Sequence, residues 1–255
     1  MTNAGSQHIT MTVIYGFHSV LEALLSNRHT IEKVILAAGK KDGHSATIQR
    51  EAEKRSVPVQ KAPRETIDAL AAGKTHQGII CIQESFRYTP FDELLGADVS
   101  FIVILDRIQD PHNFGSLIRT AHCFGVDAII TPERHAAAVT PTVKKVAAGA
   151  AEYMRISRVV NIGHSVDILK KEGYWIYGAD MSGRDAVDRT SVTGKAALIL
   201  GGEHKGIRPL VKKKCDYLFS IPMMGRIDSL NVAVAGGIIL YHMASRRRVT
   251  DLSPT

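Results

Sequence analysis

The 255-residue sequence predicts an α/β protein in which a mostly parallel, two-sided sheet follows a smaller N-terminal α/β unit. Three observations predict this. From Phe101 onward the runs FIVILD, DAIIT, MRISRV, WIYGAD, AALILG and YLFSIP alternate with helical stretches, which is the signature of parallel strands joined by crossover helices. A chain of this length that is 45% hydrophobic can bury one or two proper cores, and length favours two domains. Between them Ser85 to Ser100, SFRYTPFDELLGADVS, mixes aromatic, Pro and Gly residues without period and reads as a linker.

The expected division is therefore a disordered tail over 1–12, a small α/β domain over 13–84, a linker over 85–100 and the large domain over 101–255. In the small domain IEKVILAAG and VPVQKA read as strands, ATIQREAEKRS and RETIDALAA as helices, and HQGIICIQE as a closing strand. The large domain opens with the strand FIVIL. Asp110-Pro111 then breaks the strand, Asn113 is a plausible N-cap, and Leu117, Ala121 and Phe124 form one buried stripe of a helix. Arg119 lies about 200° round from Leu117, so it projects outward, where most helical arginines are simply solvated.

AALILG is too short and too closely flanked by Gly to be anything but a buried strand ending in a turn. Gly201 and Gly202 would let a ligand approach the backbone, and Glu203 stands at the strand's carboxyl end, where open α/β sheets bind ligands. Last comes IPMMGRIDSLNVAVAGGIILY, Ile221 to Tyr241, with uncharged polar groups at the mouth of a nearly all-apolar helix. Ser229 or Asp228 can cap that helix, and its body from Leu230 to Met243 calls for burial. Gly236 and Gly237 each cost about 1 kcal/mol against Ala, so something is expected to pack closely there.

Composition narrows the classes of function. Cys81, Cys123 and Cys215 lie far apart with no Cys-x-x-Cys, which excludes a disulfide framework or a cysteine zinc site and suits a reducing cytoplasm. No apolar stretch approaches ~18 residues and the polar start is no signal peptide, so a soluble protein is expected, without a membrane. The net charge of +7 favours a polyanionic partner, with +2 in residues 1–84 and +5 in the rest. Lys144-Lys145, Lys212 to Lys214 and Arg246 to Arg248 are candidate phosphate contacts, although a solvated face explains any single run. Neither G-x-G-x-x-G nor a phosphate-binding loop occurs, so a Rossmann enzyme or an NTPase is not indicated. The eleven histidines lack metal-ligand spacing, and no metal is expected. His112 and His204 flank the candidate site as possible nucleic-acid contacts, with loop polarity the alternative.

Three ordered segments, NFGSLIRTAHCFG from Asn113, LILGGEHKGI from Leu198 and IPMMGRIDSLNVAVA from Ile221, together resemble the SpoU/TrmH branch of the knotted SPOUT methyltransferases. The N-terminal segments YGFHSVLEAL and HQGIICI also fit the two-domain bacterial members, so the resemblance covers Val13 to about Arg248. One departure is Ala233, where the family more often has Ser.

The resemblance implies methyl transfer from S-adenosylmethionine to a ribose 2′-hydroxyl, of a guanosine in large-subunit (23S) ribosomal RNA. It implies a deep trefoil knot in the second domain, a first domain like an RNA-binding module of some ribosomal proteins, and a homodimer formed through the C-terminal domain. Gly201, Gly202, Ile221, Met223 and Leu230 would hold the cofactor, and Asn113, Arg119, Glu203, Ser229 and Asn231 would line the reacting end. Two other readings stand beside it: a transfer-RNA ribose methyltransferase, and a non-catalytic ribosome-assembly factor on the same fold.

Overall fold

The computed structural model describes residues 11–26, 30–39, 42–183, 185, 186, 192, 194–203, 205–226 and 229–251. Contacts divide the chain into two units, Met1–Arg87 with Val139–Tyr153, and Tyr88–Ala138 with Met154–Thr255. In the first, β1 (Met11–Tyr15), α1 (Phe17–Ser26), β2 (Ile31–Ala37), α2 (Gly43–Lys54), β3 (Val59–Ala62), α3 (Arg64–Leu70) and β4 (Ile79–Glu84) form a sheet of order β1-β4-β2-β3. Met11 and Thr12, expected in a tail, instead open β1, where they pair with Glu84 and Gln83. Strand alternation sends Ile14, Val34, Leu36 and Ile79 to the face covered by α1 and α2. Tyr15, Ile35 and Ile80 go to the opposite face, with Ile67 of α3.

The second unit holds α4 (Phe91–Leu95), β5 (Phe101–Asp106), α5 (Pro111–Cys123), β6 (Ala128–Pro132), β7 (Arg155–Val159), α7 (Ile162–Lys171), β8 (Trp175–Ala179), β9 (Asp185–Ala186), β10 (Ala196–Gly201), α8 (Pro209–Lys212), β11 (Tyr217–Ser220) and α9 (Val232–Asp251). Its seven strands run in the order β7-β6-β5-β10-β8-β11-β9, and every neighbouring pair is parallel. Such strands are buried on both faces, which is why β5 and β10 read as continuous apolar runs. Ile102, Ile104, Ala197 and Ile199 meet Ile162, Val166 and Leu169 of α7. Leu94 of α4 and Val99 join that core, so much of the segment read as a linker is packed structure.

Between β6 and β7 the chain contributes α6 (Pro141–Val146) and a single 3-10 turn, Ala150–Glu152, to the first unit. Val143, Ala147 and Ala151 are buried there, and Lys144 pairs with Glu152 at 2.9 Å with both side chains almost wholly enclosed. Removing one partner of a buried pair of this kind costs about 3–5 kcal/mol. Lys145 donates to the Thr75 carbonyl at 2.7 Å and lies over the Tyr15 ring. This basic run therefore holds the unit together, and Lys144 is not available to phosphate. No described helix is long and apolar enough to cross a membrane.

Candidate active site

The site begins where β5 ends. Asp110 caps α5 by accepting from the backbone N–H groups of His112 and Asn113 at 2.8 Å, with Pro111 in the first turn. Asn113, expected to be that cap, is thereby released for another task. Its Nδ2 donates to Glu203 Oε1 at 2.9 Å, and its Oδ1 accepts from Asn231 Nδ2 at 2.9 Å. An amide can donate to a carboxylate from one atom and accept from a second amide at the other; Asp in this place would repel Glu203.

Asn231 completes the chain of contacts. Its Oδ1 accepts from the N–H groups of Ala233 and Val234, at 2.9 and 3.3 Å, which caps α9 at Val232 rather than at Leu230. Ser229 stands two residues outside the helix and is exposed, and Asp228 lies outside the described residues. Three sequence-distant segments thus converge through Glu203, Asn113 and Asn231 on the positive end of a long helix.

The turn after β10 is fixed from beneath. A Cβ on Gly201 would fall 2.0 Å from the Gly206 carbonyl carbon, and one on Gly202 would fall 2.7 Å from the Arg107 carbonyl oxygen. These glycines therefore admit the chain's own backbone. Gly206, at φ +59°, closes the turn by bridging back to Gly202. Asp106, fully buried at the end of β5, accepts from the backbone N–H and Nε of Arg208 at 3.0 and 2.8 Å. Glu203 is held at the tip of this clamped turn; His204 lies outside the described residues.

Beside the turn lies a cavity of about 490 Å³. Its floor is apolar, from Leu200, Phe219, Ile221, Leu230, Val232 and Ile239; Gly201, Gly202, Glu203, Met223 and Ser229 complete the expected part of its wall. Ile221 to Met224 belong to no helix or strand, so their peptide groups are not consumed by a ladder. Asn113 and Asn231 reach the cavity only through Glu203, and Arg119 is not in its wall. Arg119 is exposed on α5, with no hydrogen-bond or ion-pair partner among the described residues.

Sequence reasoning missed Asp180, Met181 and Lys205, which also line the cavity. Asp180 follows β8 at the same sheet end as Glu203 follows β10, so the strand-end rule applied to Glu203 could have found it. Burial raises the Asp180 pKa, but hydrogen bonds from Lys212 and Ser182 outweigh this and hold it below the usual carboxylate value.

α9 supplies the rear wall. Gly236, Ile239, Leu240, Met243 and Ala244 are buried, and a Cβ on Gly236 would meet Leu117 Cδ2 at 2.6 Å and Leu200 Cδ1 at 2.9 Å. The close approach expected at this glycine is real, and it comes from side chains of α5 and β10. Burial is one-sided, however. Val234 and Tyr241, on the opposite stripe, are 52% and 57% exposed. The other basic runs are also largely committed: Lys212 to Asp180, Lys214 to Asp167, and Arg247 to Gly194, Ser100 and the Phe101 ring.

The sequence profile of the SpoU rRNA Methylase family matches residues 100–241, and that of RNA 2′-O ribose methyltransferase substrate binding matches 13–89. A putative TrmH family tRNA/rRNA methyltransferase of Staphylococcus haemolyticus is 36% identical over 92% of this chain and 96% of its own. The crystal structure of the SpoU methyltransferase AviRb from Streptomyces viridochromogenes, in complex with the cofactor AdoMet, superposes with a TM-score of 0.78. It is 23% identical and covers 94% of this chain and 91% of its own. The TrmH/SpoU tRNA modifying enzyme of A. aeolicus covers only 63% of this chain, with a TM-score of 0.55, 26% identity and 86% of its own length matched.

Proposed function

Since the chain belongs to the SpoU rRNA methylase family, we propose that it methylates a ribose 2′-hydroxyl, of a guanosine in large-subunit ribosomal RNA, with S-adenosylmethionine as donor. The observation that carries this reading is the Glu203, Asn113 and Asn231 chain beside the cavity, because a binding scaffold has no need of buttressed polar groups there. The cavity fits the cofactor. Its volume lies within the ~300–1,000 Å³ usual for small-molecule sites. The wall offers apolar surface and unladdered peptide groups suited to an adenosine, with the Glu203 carboxylate at one end.

When bound, S-adenosylmethionine supplies an activated methyl group, so the protein has to position the ribose and help remove its proton. Gly201, Gly202, Ile221, Met223 and Leu230 hold the cofactor. Asn113 fixes Glu203 by one oxygen and leaves Oε2 without a partner among the described residues, so this carboxylate is one possible proton acceptor beside water and phosphate. Ser229 lines the same end, and Asn231 reaches it through Asn113 and Glu203. A guanidinium is a poor base; that of Arg119, unengaged among the described residues, suits a phosphate next to the reacting ribose.

The presence of the first unit favours ribosomal over transfer RNA as substrate, since the A. aeolicus tRNA modifying enzyme covers only 63% of the chain. The protein acts in the cytoplasm, as a homodimer joined through the second unit. The Val234 and Tyr241 stripe supports that pairing.

Transfer of labelled methyl from S-adenosylmethionine to isolated RNA tests the assignment. Label is expected in large-subunit ribosomal RNA or its precursor, with its position mapped as 2′-O-methylation. Label confined to transfer RNA would overturn the substrate, and none despite measurable RNA binding would favour an assembly factor.

A further inference from the structure

Asp180 is the one cavity carboxylate that the family motifs do not reach, and its surroundings are unusual. It stands immediately after β8, beside the Gly201 end of β10, and lines the cavity with Met181. Three donors converge on a single oxygen: Oδ1 accepts from Lys212 Nζ at 2.6 Å, from Ser182 Oγ at 2.7 Å and from the Ser182 backbone N–H at 2.9 Å. Lys212 Nζ also donates to Ser182 Oγ at 2.8 Å, so the three groups form a closed triangle. Asp180 Oδ2 has no partner among the described residues. Its side chain is 17% exposed in the cavity wall, so Oδ2 keeps its acceptor capacity for a molecule entering there.

We propose that Asp180 is a cofactor-anchoring residue whose Oδ2 accepts hydrogen bonds from the vicinal ribose hydroxyls of the adenosine half. The charge balance selects hydroxyls over the ammonium group. Lys212 already neutralises the carboxylate, so little net attraction remains for a cation, whereas acceptor capacity on Oδ2 is intact. A carboxylate at the carboxyl end of a parallel strand is also the arrangement by which other open α/β sheets hold a ribose diol. Lys212 and Ser182 are positioning residues in this scheme: by engaging Oδ1 they fix the carboxylate rotamer, and they never touch the ligand.

The inference rests on the reading of this cavity as the S-adenosylmethionine site, and calorimetric binding to the full-length protein separates the two. The probes are S-adenosylhomocysteine and its 2′-deoxy and 3′-deoxy counterparts, and the variants are Asp180→Ala, Asp180→Asn and Lys212→Met. Wild type is expected to bind the deoxy probes about 10- to 100-fold more weakly than the parent, the scale of a hydrogen bond to a charged group. Asp180→Ala should lose a similar factor for the parent and no longer distinguish parent from deoxy probe. Asp180→Asn keeps the shape of the wall and should also lessen the discrimination, which covers failure of the alanine variant to fold. Lys212→Met should weaken the parent more than the deoxy probes.

Wild-type binding of the parent with unchanged affinity and discrimination in the Asp180 variants would overturn this role and leave the cavity reading intact. Equal weakening of all three probes in Asp180→Ala would overturn it too, by showing that the residue only shapes the wall. No binding of S-adenosylhomocysteine by wild type would bring down the cavity reading itself, and the ribose anchor with it.

Discussion

Asn113 and Arg119 sit six positions apart on one helix and have opposite fates. Asn113 has every polar atom of its side chain directed to a partner, whereas Arg119 is exposed and unengaged among the described residues. The difference makes Arg119 the informative residue to change. Nothing in the fold depends on its guanidinium, so Arg119→Ala should melt like wild type and bind S-adenosylmethionine normally. It should lose on the order of 10²- to 10⁴-fold in turnover, the scale for a positioned electrostatic or proton-transfer group. Lys keeps the charge but not the two-pronged phosphate grip, so Arg119→Lys should lose heavily as well. If Arg119 were instead a proton acceptor, Lys would be partly rescued as pH approaches its ordinary value of about 10.4. Single-turnover rates across that range separate the two, and near-wild-type rates in both variants would return Arg119 to an ordinary solvated arginine.

At the level of elements, α9 holds two adjacent glycines in different settings. Gly236 is pressed between Leu117 and Leu200, while a Cβ on Gly237 would make only an ordinary contact with Thr120 Cγ2 at 3.7 Å. Gly236→Val should therefore destabilise the protein by about 1–3 kcal/mol through overpacking. Gly237→Ala should stabilise it by up to about 1 kcal/mol through helix propensity. Denaturant melts of the two variants check this, and equal effects would refute the packing argument.

The same helix shows what local sequence can and cannot convey. The parallel strands were legible because a central strand such as β10 must be apolar throughout, and Glu203 because it follows such a strand. The caps were not. Asp110, Asn113, Ser229 and Asn231 all have side chains able to cap, and what separates them is partnership: Asn113 and Asn231 meet across 118 positions, Asn113 and Glu203 across 90. Charge runs misled for a related reason, since Lys144 and Lys212 are basic in sequence but neutralised in space by Glu152 and Asp180. Asp180 itself was visible as an acid ending the WIYGAD run, yet its single-oxygen clamp depends on Lys212, far along the chain.

At the scale of the whole molecule, the α9 stripe of Val234 and Tyr241 is apolar surface that a second copy would cover, and Tyr241 is already oriented by an edge contact with Phe124, which follows α5. Light scattering should accordingly report twice 27.8 kDa. Val234→Glu with Tyr241→Glu should halve that mass, and a fully active monomer at nanomolar concentration would defeat the pairing.

The 139–153 segment has a consequence for modularity. Val143, Ala147 and Ala151 belong to the core of the first unit, yet they are encoded after two strands of the second. The N-terminal unit is thus no detachable cassette. A gene fragment ending at residue 87 would lack the α6 segment that packs on β1 and α1, and a recombination event at that boundary would separate the two. Moving residues 1–87 of this chain into another protein would leave behind the stretch 139–153, which is encoded in the middle of its neighbour.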